Sequence, residues 1–523
     1  MNNNYGKYRF EGLDNNTTSY EDRLDFDTEE TLFSEDNEYS LEVQQRFIDQ
    51  ESEIESGIVE SSCISEVVSS KNRLEMVNAS SSFVAKYVKI EYIIYLQILD
   101  RYIIKSSNND IYIYTEEFGY HKRLSDNELI VLIRSSMDEE QDRQISRYKL
   151  EEIIFLLKSC PDIQLDINAF DSQKNMINFR NGVLDLVQRV LIPHHPQYLF
   201  TSFIDSEYYD SNTYTGASLR NENFLSFLDF STEEDAKKEA TLQEMTGYIL
   251  SNYTNAKKFF VLMGKPHSGK SVWLSILQNL IGKEHTTAMT LKQLSENRFM
   301  QARLAHSKLN ISPEMNEDGP LKGTEFIKAI TGGDLITADR KGQVSIEFYG
   351  KTKLIAAGNH MPKLNKRDAT HAFTDRILFI LFNHSVPESM RDKSLLDKIL
   401  FERDYIVSWA IEGLYRLIEN NFIFTESDES TQFKQQYVEE MNSVTQFVKD
   451  CCLIDLSNSD IKAHRRDLLP AYEEFCKANQ IPILSKEELW REISSLGVKP
   501  GKFRINGSVP LLGFRGILLQ KSF

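Results

Sequence analysis

Residues 264–271, Gly-Lys-Pro-His-Ser-Gly-Lys-Ser, match the pattern of a phosphate-binding loop. The loop follows an apolar run at 259–263 and precedes a run at 271–280 with helical apolar spacing, so strand, loop and helix come in the required order. Backbone N–H groups at such a helix N-terminus converge on phosphate oxygens, a lysine neutralises the β- and γ-phosphates, and a hydroxyl can hold Mg²⁺. The alternative, an accidental strand-to-helix turn, is disfavoured by that order. The candidate residues for ATP and Mg²⁺ are Gly264, Pro266, Ser268, Gly269, Lys270 and Ser271, with Ser271 as the metal ligand.

Two acidic residues follow the next apolar strand. Residues 309–312 read as a short strand, and Glu314 and Glu317 come just after it. Beside a phosphate-binding loop, one carboxylate can hold the hydration shell of Mg²⁺ while another polarises the attacking water. Glu314 is the first candidate for metal binding and catalysis and Glu317 the second. Acidic residues on a solvated turn would give the same pattern.

An amide and an arginine lie at the ends of two further strands. The strand at 353–359 ends in Asn359, whose side chain can hydrogen-bond a γ-phosphate or the attacking water. Arg376 immediately precedes a core strand at 377–382. An arginine in such a place is most often a surface ion pair. It could equally be an arginine finger inserted into the nucleotide site of a neighbouring subunit.

A basic hairpin lies between these motifs. The runs at 335–339 and 344–348 alternate like two strands, which leaves Arg340 and Lys341 at the turn. A basic hairpin tip can contact a phosphate backbone. A solvated turn whose charges bind nothing is the equally supported alternative.

The charge of the chain is unevenly distributed. The net charge is −18 over 523 residues, but residues 1–60 contain 17 Asp and Glu against 4 Lys and Arg, which leaves −5 for the rest. The acidity therefore does not argue against a nucleic-acid partner for the folded part. The five cysteines form no Cys-x-x-Cys pair, which favours a reducing cytoplasm, and no run of about 18 apolar residues predicts a membrane span.

The elements that must position these residues divide into four segments. Residues 1–75 are acidic and polar and are expected to be disordered. Residues 76–222 predict an α+β domain, with one long helix or two over residues 90–104. Residues 223–425 hold the loop and the strands above, and residues 430–523 predict helices, the first over 435–451, followed by a hairpin.

The C-terminal segment has the order of a winged helix. Basic residues lie on its candidate recognition helix, Lys486 and Arg491, and on its candidate wing, Lys499, Lys502 and Arg504. Such a placement suits major-groove entry by the helix and phosphate contacts by the wing. A packing domain with ordinary surface lysines is the alternative.

Taken in order, the motifs over about residues 105–520 resemble superfamily 3 helicases, in particular the phage and plasmid primase-helicase group, including those of satellite elements such as pathogenicity islands and the poxvirus primase-helicase. The phosphate-binding loop matches motif A, residues 311–317 motif B, residues 328–334 the extra motif of the superfamily and residues 353–359 motif C. The resemblance implies an AAA+-like P-loop α/β core with a preceding α+β domain and a C-terminal winged helix. It further implies that Asn359 senses the γ-phosphate and that Arg376 is the finger, with Arg367 as a rival.

The function implied is that of an ATP-dependent replicative DNA helicase and initiator of a mobile element, forming a ring, expected to be a hexamer, in a bacterial host cytoplasm. Two features depart from the family pattern. Glu314 and Glu317 are separated by two residues, and the only Asp-x-Asp before residue 83, at 25–27, lies in the acidic tail, so primer synthesis is expected from a separate primase. An ATP-switched origin-binding initiator that unwinds nothing, and an ATPase that does not act on DNA, are the rival hypotheses.

Overall fold

The computed structural model describes the chain from Lys89 onward with short gaps. The described residues are 89–210, 221–313, 315, 321, 323–342, 344–359, 371–441, 443–458, 460–479, 483–505, 507 and 509–520. Every described residue belongs to one unit, Ser70–Phe523. The expectation of disorder at 1–75 lies outside the described residues.

The first described region is a mixture of helices and antiparallel sheet. Its elements are α1 (Ile90–Arg101), β1 (Ile104–Ser107), β2 (Asp110–Thr115), β3 (Tyr120–Leu124), α2 (Asp126–Ser135), α3 (Glu139–Gln144), α4 (Arg147–Ser159), β4 (Met176–Phe179), β5 (Gly182–Asp185) and β6 (Val190–Ile192). Strands β1, β2 and β3 form one antiparallel sheet and β4, β5 and β6 another. Apolar residues of α1, α2 and α4 form a common core with β1 and β2. The sequence predicted helix as far as Ile104, but the helix ends at Arg101 and Ile104 begins a strand.

A parallel sheet occupies the middle of the molecule. Its region comprises α5 (Glu222–Thr232), α6 (Ala236–Leu250), β7 (Phe259–Gly264), α7 (Lys270–Ile281), β8 (Thr286–Thr287), α8 (Leu291–Glu296), α9 (Arg298–Gln301), β9 (Leu309–Ser312), α10 (Glu325–Gly332), β10 (Leu335–Ala338), β11 (Ile346–Tyr349), β12 (Lys353–Gly358), α11 (His371–Thr374), β13 (Ile377–Phe382), α12 (Leu395–Leu400) and α13 (Arg403–Glu419). The strand order is β13-β7-β12-β9-β8, and every neighbouring pair is parallel. Helices and strands thus mix around a parallel sheet, and the expected α/β class is confirmed.

Strand β7 and the edge strand β13 are buried on both faces. All six residues of β13 and the first five of β7 are buried, because separate helical layers cover the two sides of the sheet. One layer is built largely on α6, α7 and α13 and the other on the region of α8 and α10. This double coverage explains why these strands read as continuous hydrophobic runs.

Strands β10 and β11 pair antiparallel beside the main sheet, from Leu335↔Tyr349 to Ala338↔Ile346. The sequence predicted a longer hairpin, with its second strand starting at Val344. That strand starts at Ile346, and before it the Ser345 hydroxyl donates to the Asp339 carboxylate at 2.9 Å.

The C-terminal region from residue 443 onward packs around its own core, whereas Phe433 and Tyr437, on the helix before it, pack in the core beside the parallel sheet. The elements of this part of the chain are α14 (Asp428–Met441), α15 (Ser443–Cys451), β14 (Cys452–Ile454), β15 (Lys462–His464), α16 (Arg465–Ala478), α17 (Lys486–Ser495), β16 (Lys499–Phe503), β17 (Leu511–Arg515) and β18 (Ile517–Leu519). The antiparallel sheet order is β15-β17-β16, and β14 pairs with β18. Helices followed by a hairpin, the order behind the winged-helix prediction, are present. The single helix predicted over 435–451 belongs to two helices, α14 and α15. Over the described ranges, no helix is long and apolar enough to cross a bilayer.

Helices α6 and α13 approach each other through glycines. A Cβ at Gly247 would lie 2.2 Å from the Ala410 carbonyl oxygen, and one at Gly413 would lie 2.5 Å from the Gln243 carbonyl carbon. Beside this contact, the buried Glu244 carboxylate accepts from Arg416 Nε at 2.7 Å and from the Thr425 backbone N–H at 2.7 Å. The close crossing therefore depends on the missing side chains and is reinforced by a buried, fully hydrogen-bonded charge.

Gly413→Ala should destabilise the protein, because the added methyl group overlaps backbone atoms that cannot move independently. The expected loss is about 1–3 kcal/mol of unfolding free energy, measured as a lower urea midpoint. Gly501→Ala is the control, since a Cβ there meets only Phe503 Cδ1 at 3.9 Å. Equal stability of wild type and Gly413→Ala would show that the helices can separate without cost.

Candidate functional site

The glycine-rich loop begins where β7 and β13 end. Gly264 has a φ of +141°, and a Cβ on it would lie 2.0 Å from the Phe382 carbonyl oxygen. Gly269 has a φ of +96°, and its Cβ would lie 2.9 Å from the Phe227 ring. Both glycines are therefore required by the backbone and its neighbours.

The loop ends in the N-terminus of α7. Gly269 is the N-cap and offers no side chain, so side-chain capping by that residue does not compete for the first N–H groups of the helix. Lys270 donates to the carbonyl oxygens of Gly264 at 2.8 Å and Lys265 at 2.6 Å, and burial lowers its pKa. The Ser268 hydroxyl donates to Lys265 O at 2.8 Å. The loop thus combines free helix N–H groups with one cation, which is the chemistry of an anion site.

A cavity of about 790 Å³ opens beside this loop. Its size suits a small organic ligand. Both polar and apolar residues line it. The polar ones include Ser268, Lys270, Ser271 and Asn359, and the apolar ones include Phe227, Phe230, Val386, Pro387, Met390 and Leu395. The arrangement can hold a molecule with an anionic end and an apolar ring.

The sequence-predicted catalytic residues differ in where they lie. Asn359 follows β12 at the carboxyl edge of the sheet and lines the cavity. Pro313 and Met315 line it too, whereas Glu314 and Glu317 lie outside the described residues. At the end of β9, the Ser312 hydroxyl is buried and has no hydrogen-bond partner in the described part of the chain.

Arg376 lies at the opposite edge of the sheet. It precedes β13, whereas the loop follows β7, and the two strands are parallel in register from Ile377↔Phe259 to Phe382↔Gly264. About five residue steps separate the edges, or roughly 17 Å. The guanidinium donates to the Lys328 carbonyl oxygen at 2.8 Å and the Thr331 hydroxyl at 2.9 Å. Arg376 therefore lies away from the loop of its own chain. The rival Arg367 lies outside the described residues.

The hairpin arginine contacts protein. Arg340 Nη2 lies 3.1 Å from His306 Nε2 and 3.6 Å from Asp110 Oδ2, and its Nη1 donates to the Asn108 carbonyl oxygen at 3.3 Å. Burial, followed by the charge of Arg123, lowers the pKa of His306 to about 4, so its ring is neutral and Nε2 can accept from Arg340. Lys341, next to it, is exposed.

Two more contacts fix the second hairpin strand to the first region. The Tyr349 N–H donates to Asn168 Oδ1 at 2.9 Å, and Lys351 Nζ donates to the Phe170 carbonyl oxygen at 2.5 Å. Together with Arg340, they attach the hairpin to the β1–β2 turn and to the segment before β4. Sequence reasoning missed this attachment because the hairpin residues and their partners in the first region lie more than 170 positions apart. Tyr349 and Asn168, for example, are 181 positions apart.

The five basic residues predicted to bind DNA in the C-terminal region are all exposed: Lys486, Arg491, Lys499, Lys502 and Arg504. Lys486 and Arg491 both belong to α17 but lie five positions apart, so they project about 140° from each other. Lys499 and Lys502 belong to β16 and, three positions apart, project from opposite faces. The structure thus places them on several surfaces.

Sequence reasoning also missed residues of the cavity. Phe227 and Phe230 lie three positions apart on α5, a spacing that could have indicated a shared helix face. Arg391 lines the cavity and donates through Nε to the Val386 carbonyl oxygen at 3.1 Å. It lies in a loop with no regular pattern, so nothing in the sequence indicated it.

Two family models match parts of the chain. The model described as "D5 N terminal like" matches residues 97–245, and a "Family of unknown function (DUF5906)" matches residues 262–376. Among curated proteins, "Putative helicase L207/L206" of Acanthamoeba polyphaga mimivirus is 25% identical over 233 residues, which are 41% of this chain and 23% of that protein. The match thus spans about a quarter of the relative's length.

Solved structures with a similar course include two titled as apo forms of the NrS-1 C-terminal region. The first aligns at a TM-score of 0.47 and 13% identity, covering 81% of this chain and 98% of that one. The second aligns at a TM-score of 0.43 and 12% identity, covering 82% and 100%.

One charged residue is buried within the sheet. Lys353 begins β12 and is 4% exposed, its ammonium lies 4.7 Å from the Tyr248 ring centroid, and it donates to the Lys351 carbonyl oxygen at 3.3 Å. Burial, then the charges of Lys308 and Lys174, lower its pKa to about 7. The unfolded chain, with a lysine pKa of about 10.4, binds the proton more tightly between those two values.

Stability should therefore rise with pH through that window, since the unfolded state binds more protons there. Relative to Lys353→Met, the wild type should gain up to about 1.4 kcal/mol of unfolding free energy per pH unit between about pH 7 and 10. Urea unfolding of both proteins at several pH values measures this. Lys341→Met, an exposed lysine, is the control and should follow the wild type. Parallel curves for wild type and Lys353→Met would contradict the prediction.

Proposed function

We propose that the chain is an ATP-dependent DNA helicase of the superfamily 3 type that unwinds DNA for the replication of a mobile genetic element. The observation that carries the proposal is the glycine-rich loop between β7 and α7, with its lysine and adjoining cavity at the carboxyl edge of a parallel sheet. A relative named as a putative helicase supports helicase activity as the kind of reaction. DNA is proposed as the substrate because of the order of the sequence motifs.

ATP fits the mixture of polar and apolar residues that lines the cavity. Its phosphates would meet the α7 N-terminus and Lys270, and its base would lie against Phe227, Phe230 and Met390. Mg²⁺ takes oxygen ligands, and the donor set here is of that kind: the Ser271 hydroxyl, the Glu314 carboxylate, and the unpartnered Ser312 hydroxyl nearby. Bound there, the ion would neutralise charge on the phosphates.

The chain's own residues would then divide the work. Asn359 would hold the γ-phosphate or the attacking water, and Glu314 or Glu317 would take the proton from that water. Arg376 would stabilise charge in the site of the next subunit, since it lies at the far edge of its own sheet. A site completed by a neighbour is a head-to-tail interface, which forms a ring when its rotation closes, and a hexameric ring is our proposal.

DNA would be contacted at two places. The hairpin carrying Arg340 and Lys341 would grip a strand in the ring channel, and the C-terminal region would bind origin duplex as a winged helix. A separate primase would supply primers, and the bacterial cytoplasm is the proposed compartment.

A second function is favoured by one contact. Because Arg340 contacts Asp110, His306 and Asn108, the hairpin arginine is bound by the protein itself in this conformation. An initiator in which ATP only switches assembly, without unwinding, would need no free hairpin. Strand displacement separates the two proposals.

Lys270→Ala should lower ATP hydrolysis by about 100-fold or more, because the phosphates lose the cation that would neutralise them. Forked-DNA unwinding should be lost with it, while duplex binding is retained. Lys265→Ala, which removes an exposed lysine of the same loop, should keep most of the ATPase activity. ATP turnover by Lys270→Ala at the wild-type rate would refute the proposed site, and wild-type hydrolysis without strand displacement would favour the initiator.

Arg376→Ala should hydrolyse ATP about 1,000-fold more slowly than wild type, as for an arginine finger. Mixed with wild type, it should suppress unwinding more steeply than dilution, because each mutant subunit disables its neighbour's site. Arg298 is an exposed arginine elsewhere in the region of the parallel sheet. In mixtures of wild type with Arg298→Ala, unwinding activity should vary linearly with the fraction of the variant. If unwinding activity fell only linearly with the fraction of Arg376→Ala, Arg376 would not act as an arginine finger in the site of a neighbouring subunit.

A further inference from the structure

Three cations lie side by side on the C-terminal sheet. In the order β15-β17-β16, Lys462 pairs with Arg515, and Arg515 pairs with Lys499. Directly paired residues on antiparallel strands project to the same face. We call Lys462, Arg515 and Lys499 the basic row, and we propose that it binds the phosphate backbone of duplex DNA. This inference rests on the proposed function and adds a contact surface to it.

The basic row lies on the face of the sheet that points away from the core. Ala463 and Phe514, one position from Lys462 and Arg515, project to the other face and belong to the buried C-terminal core. Lys499 and Arg515 are exposed and Lys462 is half-buried. Their charged ends are therefore accessible to a large partner.

A phenyl ring positions two of the three charges. Lys462 Nζ lies 5.9 Å and the Arg515 guanidinium 5.3 Å from the centroid of the Phe503 ring. His464 stacks on the same ring at 5.2 Å. Gly513 leaves room for it, because a Cβ there would lie 2.6 Å from Phe503 Cζ. The two cations are thus held beside a fixed ring, which lowers the entropy lost on binding.

The row also has an electrostatic cost that an anion would relieve. Like charges directly opposite each other across strands are destabilising. In the described part of the chain, no carboxylate lies within salt-bridge distance of Lys462, Lys499 or Arg515. A partner with repeated negative charges would offset this repulsion.

Duplex DNA fits the dimensions of the row. Two strand spacings separate its ends, or roughly 10 Å, and duplex DNA presents one negative charge per about 1.7 Å of its axis. A phosphate backbone can therefore engage all three cations together. The row consists only of cations and offers no bidentate amide, so the contact should be independent of base sequence.

The test is the salt dependence of duplex binding by the full chain. Affinity for a fluorescent 20-bp duplex is measured from about 50 to 300 mM NaCl for wild type and for the triple variant Lys462→Gln, Arg515→Gln, Lys499→Gln. Each lost phosphate contact should reduce the slope of log K against log salt by about 0.9, so the slope should become shallower by about 2 to 3.

Two controls isolate the charges of the row. The variant Lys462→Arg, Arg515→Lys, Lys499→Arg keeps all three charges and should keep the wild-type slope. The variant Lys449→Gln, Lys477→Gln removes exposed lysines of α15 and α16 and should also keep it. Thermal unfolding of the triple glutamine variant should match or exceed wild type, since like charges are removed.

An unchanged slope in the triple glutamine variant overturns the proposal, as does an equal change in the Lys449, Lys477 control. Loss of poly-glutamate binding with unchanged DNA binding would also overturn it and would make the row a docking site for acidic protein. If the wild type unwinds forks and the slope is unchanged, only this inference fails. If the wild type binds no DNA, the proposed function fails too.

Discussion

The pairing of β7 with β13 runs up to the residue where the loop begins, and the candidate site depends on that pairing. The last register pair is Phe382↔Gly264, so the strand ladder ends at the first loop residue. Beyond it, Lys265 N–H donates to Phe382 O at 3.2 Å, and Val386 N–H donates to His267 O at 3.0 Å. The loop is therefore fixed along one side by the segment after β13. That segment also contributes Val386 and Pro387 to the cavity lining, so the loop and part of the apolar lining are positioned by one strand pair.

Parallel pairing also places the candidate site residues at two different edges of the sheet. Because β7 and β12 run in the same direction, the loop and Asn359 meet at their carboxyl ends. Arg376, at the amino end of β13, is excluded from that edge by the same geometry. A residue's position at the start or the end of a parallel strand thus decides at which edge of the sheet it lies.

Much of this arrangement could be predicted from the sequence, for local reasons. The strand, loop and helix around Lys270 are encoded by contiguous residues, and the buried run of β13 reveals itself by composition alone. The attachment of Arg340 to Asp110 and the cavity position of Arg391 could not be predicted. Each depends on partners brought together by tertiary packing, and an arginine side chain gives no sign of whether it will meet DNA, nucleotide or its own protein.

The strand order has a consequence for how the chain is made. Strand β7 is central, yet its neighbours arrive late: Phe260 pairs with Ile355, about 95 residues on, and with Leu378, about 118 residues on. At a synthesis rate of about 5–20 residues per second, β7 waits roughly 5–20 s for its first partner. During that interval a fully apolar strand has both edges unpaired, so the nascent chain offers chaperones, or other nascent chains, a hydrophobic β-edge.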